Sequence, residues 1–279
     1  MKMKAMLIGL LFIIICIPAQ GFVKKGKIIK KSFKSIVTNE MRDYLLYLPA
    51  EIKKKEKVPV LLFLHGNGER GNDIEQVKVN GPLHEVQKGR EFPFIIIVPQ
   101  MLKFPDGYSF KPNLDTQWNW DERFPMVRET YDVEFRYEEP YPPYGWDMLE
   151  KDLVYLINEA IKDYNGDKDR IYVTGLSYGG YGTWYMLSKY PELFAAGVPI
   201  CGAGNPEDVK TIGKTPVWLF HGGRDRIVLP QWSLKMADEL DKAGGNVIVT
   251  IHEDLGHDCW TRVYSGQDVY DWMLKNTKR

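Results

Sequence analysis

One serine of the sequence lies between two glycines, directly after an apolar run. Residues 171–174 read Ile-Tyr-Val-Thr, and the next five residues are Gly-Leu-Ser-Tyr-Gly, with Ser177 at their centre. A strand that leads into a glycine-flanked serine and then into a helix predicts a sharp turn that presents the hydroxyl group above the sheet. Side chains at Gly175 and Gly179 would clash in such a turn. We therefore predict that Ser177 is a nucleophile; the alternative is a glycine-rich turn without a chemical role.

A serine hydroxyl is a weak nucleophile at neutral pH, so it needs a base within hydrogen-bond reach and an acid that orients the base. The apolar run 217–220 ends in a polar turn that contains Asp225. A second run, 247–251, leads into a loop that contains His257. The order serine, acid, histidine is the one that accompanies this kind of turn. The sequence thus predicts that Asp225 and His257 complete a triad with Ser177.

The other histidines fit the role of base less well. His65 and His221 directly follow predicted strands, and we expect both to be structural and to bond to neighbouring loops. His84 falls in a predicted surface helix, and His252 ends a predicted strand. His257 is therefore the preferred base.

Two patterns in the sequence resemble cofactor sites, and neighbouring residues argue against both. His252 and His257 are five residues apart rather than four, and Gly256 opposes a helix, so a zinc site of the helical type is disfavoured. Residues 66–71 read Gly-Asn-Gly-Glu-Arg-Gly and match a dinucleotide fingerprint after a strand. The next predicted strand ends in Val-Pro-Gln at 98–100, without the acid that would bind a ribose hydroxyl. We expect neither a metal nor an organic cofactor.

A glycine-rich loop at this place has another use. After the third strand, such a loop can turn a backbone N–H toward the oxyanion that forms when a serine attacks a carbonyl. We predict the N–H of Asn67 as the first donor, to within one residue, and the N–H of Tyr178 as the second.

Composition indicates one large globular domain. The chain has 279 residues, of which 44% are hydrophobic and 27% are charged. Its 37 basic residues balance 37 acidic ones, so there is no net field to attract nucleic acid or an anionic membrane. We predict a single domain over residues 22–279 and no nucleic-acid partner.

The first 21 residues have the pattern of a signal peptide. Lysines precede an apolar run over about positions 6–17, which is shorter than the roughly 20 residues that span a bilayer. Ala19 and Gly21 supply the small residues of a cleavage site. We predict cleavage after Gly21, a secreted or periplasmic protein and no stable membrane insertion afterwards. The alternatives are an uncleaved anchor and lipid attachment at Cys16.

Cleavage would leave Cys201 and Cys259. The sequence leaves open whether they form a disulfide or remain thiols.

Hydrophobic patterning predicts the class of fold. An antiparallel hairpin is expected over 27–48, around the polar break Thr38-Asn39-Glu40. Nearly unbroken apolar runs then alternate with segments of helical spacing, which favours a mostly parallel sheet with helices on both faces. The predicted strands are 58–64, 94–98, 171–174, 196–200, 217–220 and 247–251, and the predicted helices are 147–164, 178–190, 230–242 and 264–276.

An aromatic-rich stretch interrupts this alternation at about 104–144. Loops of such length in compact domains are usually functional or disordered, and the aromatic content argues against disorder. We predict an insertion that forms a lid or wall beside the active site; the alternative is an insertion packed on the far surface.

Several motifs together resemble a known family. They are residues 64–71, 175–184, 191–202, 220–225 and 256–260. As a set they are similar to the phospholipase/carboxylesterase branch of α/β-hydrolases, over a region from about Tyr44 to Leu274. This group includes esterases similar to feruloyl and acetylxylan esterases, and predicted peptidases. The resemblance implies an α/β-hydrolase fold and Ser177, Asp225 and His257 as the triad.

The expected function is that of a secreted serine carboxylesterase that works through an acyl-enzyme. Feruloyl or acetyl esters of plant polysaccharide are the expected substrates, with Trp118, Trp120 and Trp260 as stacking surfaces; the alternative for these tryptophans is simple packing. Two other functions stay open: a serine peptidase of the prolyl-oligopeptidase type, and a non-catalytic binding module with the same fold.

Overall fold

A computed structural model of the chain describes residues 25–50, 56–108 and 141–278. The predicted signal peptide, Cys16, Trp118, Trp120 and most of the predicted insertion lie outside the described residues.

The helices and strands alternate as the hydrophobic pattern predicts. The strands are β1 (Lys27–Lys34), β2 (Met41–Leu48), β3 (Val58–Leu64), β4 (Ile95–Pro99), β5 (Gly166–Leu176), β6 (Ala196–Ile200), β7 (Val217–Gly222) and β8 (Val247–His252). The α-helices are α1 (Pro82–Gln87), α2 (Glu150–Asp163), α3 (Tyr178–Lys189), α4 (Pro230–Lys242), α5 (Trp260–Ser265) and α6 (Asp268–Lys275). Short 3₁₀ helices cover Asn67–Glu69, Ile74–Lys78, Trp146–Leu149 and Asp208–Thr211.

All of these strands join one mixed sheet in the order β1-β2-β4-β3-β5-β6-β7-β8. β1 and β2 form the predicted antiparallel hairpin, and β2 pairs antiparallel with β4. The pairs from β4 through β3 to β8 are parallel. The carboxyl ends of β3, β5, β7 and β8 therefore meet at one edge, where ligands bind in open parallel sheets.

Helices cover both faces of the sheet, and each face has its own core. Successive residues of β3 alternate between the two: Leu62 belongs to one core and Phe63 to the other. On the first face the strands pack against α2, α3 and α4, where Trp184 is completely buried. On the second face they pack against α1, α5 and α6, where Met273 is completely buried. The predicted fold class, a mostly parallel sheet with an N-terminal hairpin and helices on both faces, is confirmed.

The structure differs from the predictions at two elements. The single helix expected over 264–276 is two helices, because Gly266 adopts extended backbone (φ −68°, ψ 160°) after α5. The last strand, β8, is only partly buried, because it forms the edge of the sheet and has a neighbour on one side. A continuous apolar run therefore did not imply burial on both faces at this edge.

Candidate active site

Ser177 lies between β5 and α3 in a backbone conformation that side chains rarely adopt. Its φ is 53° and its ψ is −117°, so it lies in a positive-φ region that is costly for a residue with a Cβ. A Cβ at Gly179 would lie 1.8 Å from the carbonyl oxygen of Leu64, and one at Gly175 would lie 2.3 Å from that of Gly179. The two flanking glycines let α3 begin directly against β3 and β5.

The structure brings the three residues of the predicted triad together. His257 Nε2 lies 3.0 Å from Ser177 Oγ, and His257 Nδ1 lies 2.6 Å from Asp225 Oδ2. With the ionised carboxylate as acceptor, Nδ1 carries the proton and Nε2 accepts the hydrogen bond from the serine hydroxyl. Asp225 follows β7 and His257 follows β8, so adjacent parallel strands deliver the acid and the base to the same sheet edge.

Asp225 is almost completely buried, with 1% of its surface exposed. Its Oδ1 accepts hydrogen bonds from the backbone N–H groups of Ile227 (2.8 Å) and Val228 (3.0 Å). Burial by itself would raise the pKa of Asp225, but the hydrogen bonds from His221 and His257 outweigh it and hold the pKa well below its usual range. Asp225 is therefore an ionised acceptor that fixes the tautomer of His257.

His221 is a contact of Asp225 that the sequence did not reveal. Its Nε2 lies 2.9 Å from the carbonyl oxygen of Val228, which is the loop contact expected for a structural histidine. The same nitrogen also lies 3.0 Å from Asp225 Oδ2. The spacing of four residues across a strand end, with His221 in β7 and Asp225 in the turn after it, was the available signal.

The other predicted structural histidine, His65, supports the loop after β3. Its Nε2 accepts a hydrogen bond from the N–H of Met101 (2.9 Å), so Nδ1 carries the proton and donates to the carbonyl oxygen of Gly66 (2.6 Å). Burial lowers the pKa of His65 to about 3, which keeps the ring neutral. Gln100 adds a second support by donating from Nε2 to the carbonyl oxygen of Glu69 (2.8 Å).

The loop that His65 supports lies beside Ser177. Asn67 begins a 3₁₀ turn, and Tyr178 begins α3, whose first-turn N–H groups lie at the positive end of the helix. Both residues line one cavity with Ser177 and His257. The loop that matches the dinucleotide fingerprint thus lines the cavity beside the serine and does not begin a long helix of its own. The role of Asn67 and Tyr178 as oxyanion donors stays a prediction.

This cavity has a volume of about 370 Å³. Its lining combines apolar and polar side chains, and Trp260, predicted as a stacking surface, is among them. The lining residues are Gly66, Asn67, Gly68, Glu69, Gln76, Val79, Asn80, Leu176, Ser177, Tyr178, Tyr181, Ile227, Val228, His257 and Trp260.

Arg70 joins this loop to the segments that flank residues 109–140, and it is a second contact that the sequence did not reveal. Its guanidinium donates to Asn67 Oδ1 (3.0 Å), to the carbonyl oxygen of Leu102 (2.9 Å) and to that of Tyr144. It also lies over the ring of Tyr178, 4.9 Å from the centroid. Arg70 therefore connects the predicted oxyanion loop, the start of α3 and both flanks of that segment.

Cys201 and Cys259 are buried free thiols. Among the described residues, potential metal ligands come within 4.8 Å of one another at Cys201, Asp225 and His257. Burial raises the pKa of the Cys201 thiol, and Asp225 and His257 are already bonded to each other. A protonated thiol is a poor ligand, so this donor set does not suit a metal ion.

Comparison with known proteins agrees with this geometry. Residues 148–212 and 203–279 match the model of the prolyl oligopeptidase family. A solved structure of a thermostable esterase is 28% identical, with a TM-score of 0.67 over 90% of this chain and 63% of that one. The fold is therefore that of the α/β-hydrolases, and the site has the side chains of a serine hydrolase.

More particular similarities are to esterases. Acetylxylan esterase A of Emericella nidulans is 34% identical over 92 residues, a match that covers 28% of this chain and 30% of that protein. A ferulic acid esterase of Anaeromyces mucronatus has the same fold, with a TM-score of 0.61, 18% identity and 92% coverage of both chains. The chain thus matches less than a third of the length of the acetylxylan esterase.

Among the described residues, no helix combines the length and the apolar composition that crossing a bilayer requires.

Proposed function

We propose that this protein is a secreted serine carboxylesterase that hydrolyses its substrate through an acyl-enzyme. The observation that carries the proposal is the continuous hydrogen-bonded line from Ser177 through His257 to Asp225 at the wall of a cavity. The similarity to esterases supports an ester as the bond that is cleaved.

In the proposed first half-reaction, Ser177 Oγ attacks the carbonyl carbon of the ester while His257 Nε2 takes its proton. Asp225 stabilises the imidazolium through Nδ1. The backbone N–H groups of Asn67 and Tyr178 donate to the oxyanion of the tetrahedral intermediate. His257 then protonates the alcohol as it leaves, and the acyl group remains on Ser177.

In the second half-reaction, a water molecule replaces the alcohol. His257 takes a proton from this water as it attacks the acyl-enzyme, and it returns the proton to Ser177 Oγ when the carboxylic acid leaves. Each step uses groups of this chain, the substrate and water.

The proposed substrates are feruloyl or acetyl esters linked to plant polysaccharide. A cavity of about 370 Å³ lies at the lower end of the range for small-molecule sites, roughly 300–1,000 Å³. Trp260, together with Trp118 and Trp120, is proposed to contact the substrate. Export by the signal peptide over residues 1–21 would bring the enzyme to such a polymer outside the cytoplasm.

A second candidate is a serine peptidase, which the match to the prolyl oligopeptidase family favours. The two activities share the triad and the oxyanion donors, so they differ in the leaving group and in the cavity that receives it. A binding module with the same fold is the non-enzymatic alternative, and it would not require the hydrogen bond between His257 and Ser177.

The test begins with a fluorophosphonate probe, which reacts with activated serines. Wild-type protein should be labelled at Ser177, and Ser177→Ala should not be labelled. Activity is then measured on p-nitrophenyl acetate, methyl ferulate, acetylated xylan and a chromogenic dipeptide. We expect ester hydrolysis, with a fall in kcat of about 10⁴-fold or more for Ser177→Ala. Preferential cleavage of the dipeptide would favour the peptidase, and a folded wild type that neither labels nor hydrolyses would exclude both enzymes.

A further inference from the structure

Glu69 is a buried carboxyl group in the wall of the cavity, and the proposed mechanism does not use it. Only 5% of its surface is exposed. Burial raises its pKa, while hydrogen bonds from the Asn80 side chain and from the backbone N–H groups of Glu69 and Gly66 act in the opposite direction. A buried carboxylate is costly unless hydrogen-bond donors pair with it. The donors around Glu69 therefore form part of the structure of the cavity wall.

The contacts of Glu69 lie on both sides of Asn67, the predicted oxyanion donor, in the sequence. Asn67 lies between Gly66 and Glu69, and the Glu69 side chain folds back toward Gly66, so that its Oε2 lies 4.0 Å from His65 Nδ1. The main chain of Glu69 is held as well, because Gln100 Nε2 donates to its carbonyl oxygen at 2.8 Å. These contacts therefore hold the chain at Gly66 and at Glu69, before and after Asn67.

Asn80 extends this pairing to the other side of the cavity. Its Nδ2 donates to Glu69 Oε1 at 2.6 Å, and its Oδ1 accepts from Trp260 Nε1 at 3.0 Å. The Trp260 ring in turn contacts the His257 ring edge to face, with centroids 5.2 Å apart and planes at 87°. One line of contacts therefore runs from the predicted oxyanion loop to the proposed catalytic base.

We propose that Glu69 and Asn80 are positioning residues that hold the oxyanion loop and the His257 ring in one fixed frame. The inference rests on the proposed function, because the frame matters only if Ser177 attacks a carbonyl group. Small displacements of donors in a catalytic site have large effects on rate, since the donors must meet the oxyanion and not the ground-state oxygen.

The principal test compares Glu69→Gln and Asn80→Ala with wild type. Glu69→Gln keeps the shape of the side chain but replaces a carboxylate oxygen by an amide NH₂ group, so that two hydrogen-bond donors face each other. We expect kcat to fall by about 10- to 100-fold and KM to change by less than about threefold, because oxyanion contacts form in the transition state. Affinity for a trifluoromethyl ketone, which forms a tetrahedral adduct with serine, should fall in parallel with kcat. The double variant should be no slower than the slower single variant, since both break one line of contacts.

Asp152→Asn is the matched control. Asp152 is also a buried carboxylate, with 2% exposed, but it accepts hydrogen bonds from Ser35 Oγ and from the N–H of Ile36, on the hairpin side of the sheet. Its loss should lower the melting temperature and leave kcat unchanged. Trp260→Phe provides a further variant that keeps a ring against His257 and removes the bond to Asn80; a smaller fall in kcat is expected.

Hydrogen exchange separates this inference from the proposed function. The backbone amides of residues 66–70 should exchange at least about tenfold faster in Glu69→Gln than in wild type, whatever the reaction catalysed. Unchanged exchange would overturn the inference, and so would faster exchange with unchanged kcat or a change in KM alone. A wild type without labelling or hydrolysis would instead overturn the proposed function, and the exchange rates would still decide whether Glu69 holds the loop.

Discussion

The imidazole of His221 lies 3.0 Å from the carboxylate of Asp225, and both side chains are shielded from solvent. On its other side, His221 Nδ1 lies 2.7 Å from Ser233 Oγ, which also lies 2.7 Å from the carbonyl oxygen of Gly202. The ring of His221 is therefore held at both nitrogens. Asp225 Oδ2 accepts one hydrogen bond from His221 Nε2 and another from His257 Nδ1. The proposed acid thus has one histidine on the side of the substrate and another on the side of the core.

Replacement of His221 by Phe should impair the triad, although it changes none of the three triad residues. Because the hydrogen bond from His221 helps to hold the pKa of Asp225 down, its loss should raise that pKa and leave the carboxylate less firmly oriented. We expect kcat/KM on an ester substrate to fall by about tenfold or more, and the free energy of unfolding to fall by about 1–3 kcal/mol. His84→Phe is the control, since His84 lies on α1 and does not line the cavity. A variant that loses stability but keeps full kcat/KM would show that His221 has only a structural role.

The conformation of Ser177 predicts an unusual order of stabilities. Gly adopts positive φ without a clash of Cβ, whereas Ala does not. The strain at such a residue is about 1–3 kcal/mol, and the greater entropy of Gly in the unfolded chain offsets about 0.4–1 kcal/mol of it. Ser177→Gly should therefore be more stable than Ser177→Ala by about 1 kcal/mol in urea unfolding, although both lack the nucleophile. Equal stabilities would mean that the turn is not strained.

Gly179 is predicted to be intolerant of even one methyl group. A Cβ there would lie 1.8 Å from the carbonyl oxygen and 2.5 Å from the carbonyl carbon of Leu64, both backbone atoms of the central strand β3. Gly179→Ala must displace α3 from the sheet, and we expect it to lose more than about 3 kcal/mol of stability. At Gly68 a Cβ would meet nothing within 4 Å, so Gly68→Ala should change stability by less than about 1 kcal/mol. Soluble yield and urea unfolding of the two variants give the comparison, which fails if they behave alike.

The buried neutral ring of His65 predicts a dependence of stability on pH. Its pKa is about 3 in the folded protein, below the value of about 6.5 for an unfolded chain. Between these values the unfolded state binds a proton that the folded state does not, so stability falls as the pH is lowered from about 6.5 toward 3, by up to about 1.4 kcal/mol per pH unit. In His65→Gln this contribution is absent, because glutamine accepts and donates hydrogen bonds without titrating.

Urea unfolding at about pH 4.5, 5.5 and 6.5, between the folded and unfolded pKa values of His65, measures how the free energy of unfolding of each protein depends on pH. The free energy of unfolding should fall more steeply with decreasing pH in wild type than in His65→Gln. The slopes should differ by up to about 1.4 kcal/mol per pH unit, which corresponds to one bound proton. Carboxyl groups distant from His65 contribute to both proteins alike. Glu69 Oε2 lies 4.0 Å from His65 Nδ1, so the comparison is repeated with Glu69→Gln in both proteins, where the difference isolates His65. Parallel slopes would contradict the assignment of a neutral buried ring.

Hydrophobic patterning and motif order predicted much of the fold and the three residues of the candidate triad. Buried strands are marked by composition, and residues that follow parallel strands reach the same edge of the sheet. Ser177, Asp225 and His257 could therefore be expected to meet, although Ser177 is 80 residues and Asp225 is 32 residues from His257 in the sequence. The local break at Gly266 and the partial exposure of β8 could not be predicted, because both depend on the neighbours that the folded chain supplies.

Only the tertiary structure decided which groups surround the triad. Glu69, Asn80 and Trp260 meet across sequence separations of 11 and 180 residues, and no spacing along the chain signals such contacts. His221 had a local signal but no visible preference for Asp225 over the loop that it also binds. Strand and helix propensities act on neighbours in the sequence, whereas the pairing of a buried polar side chain depends on which donors the packed elements leave beside it.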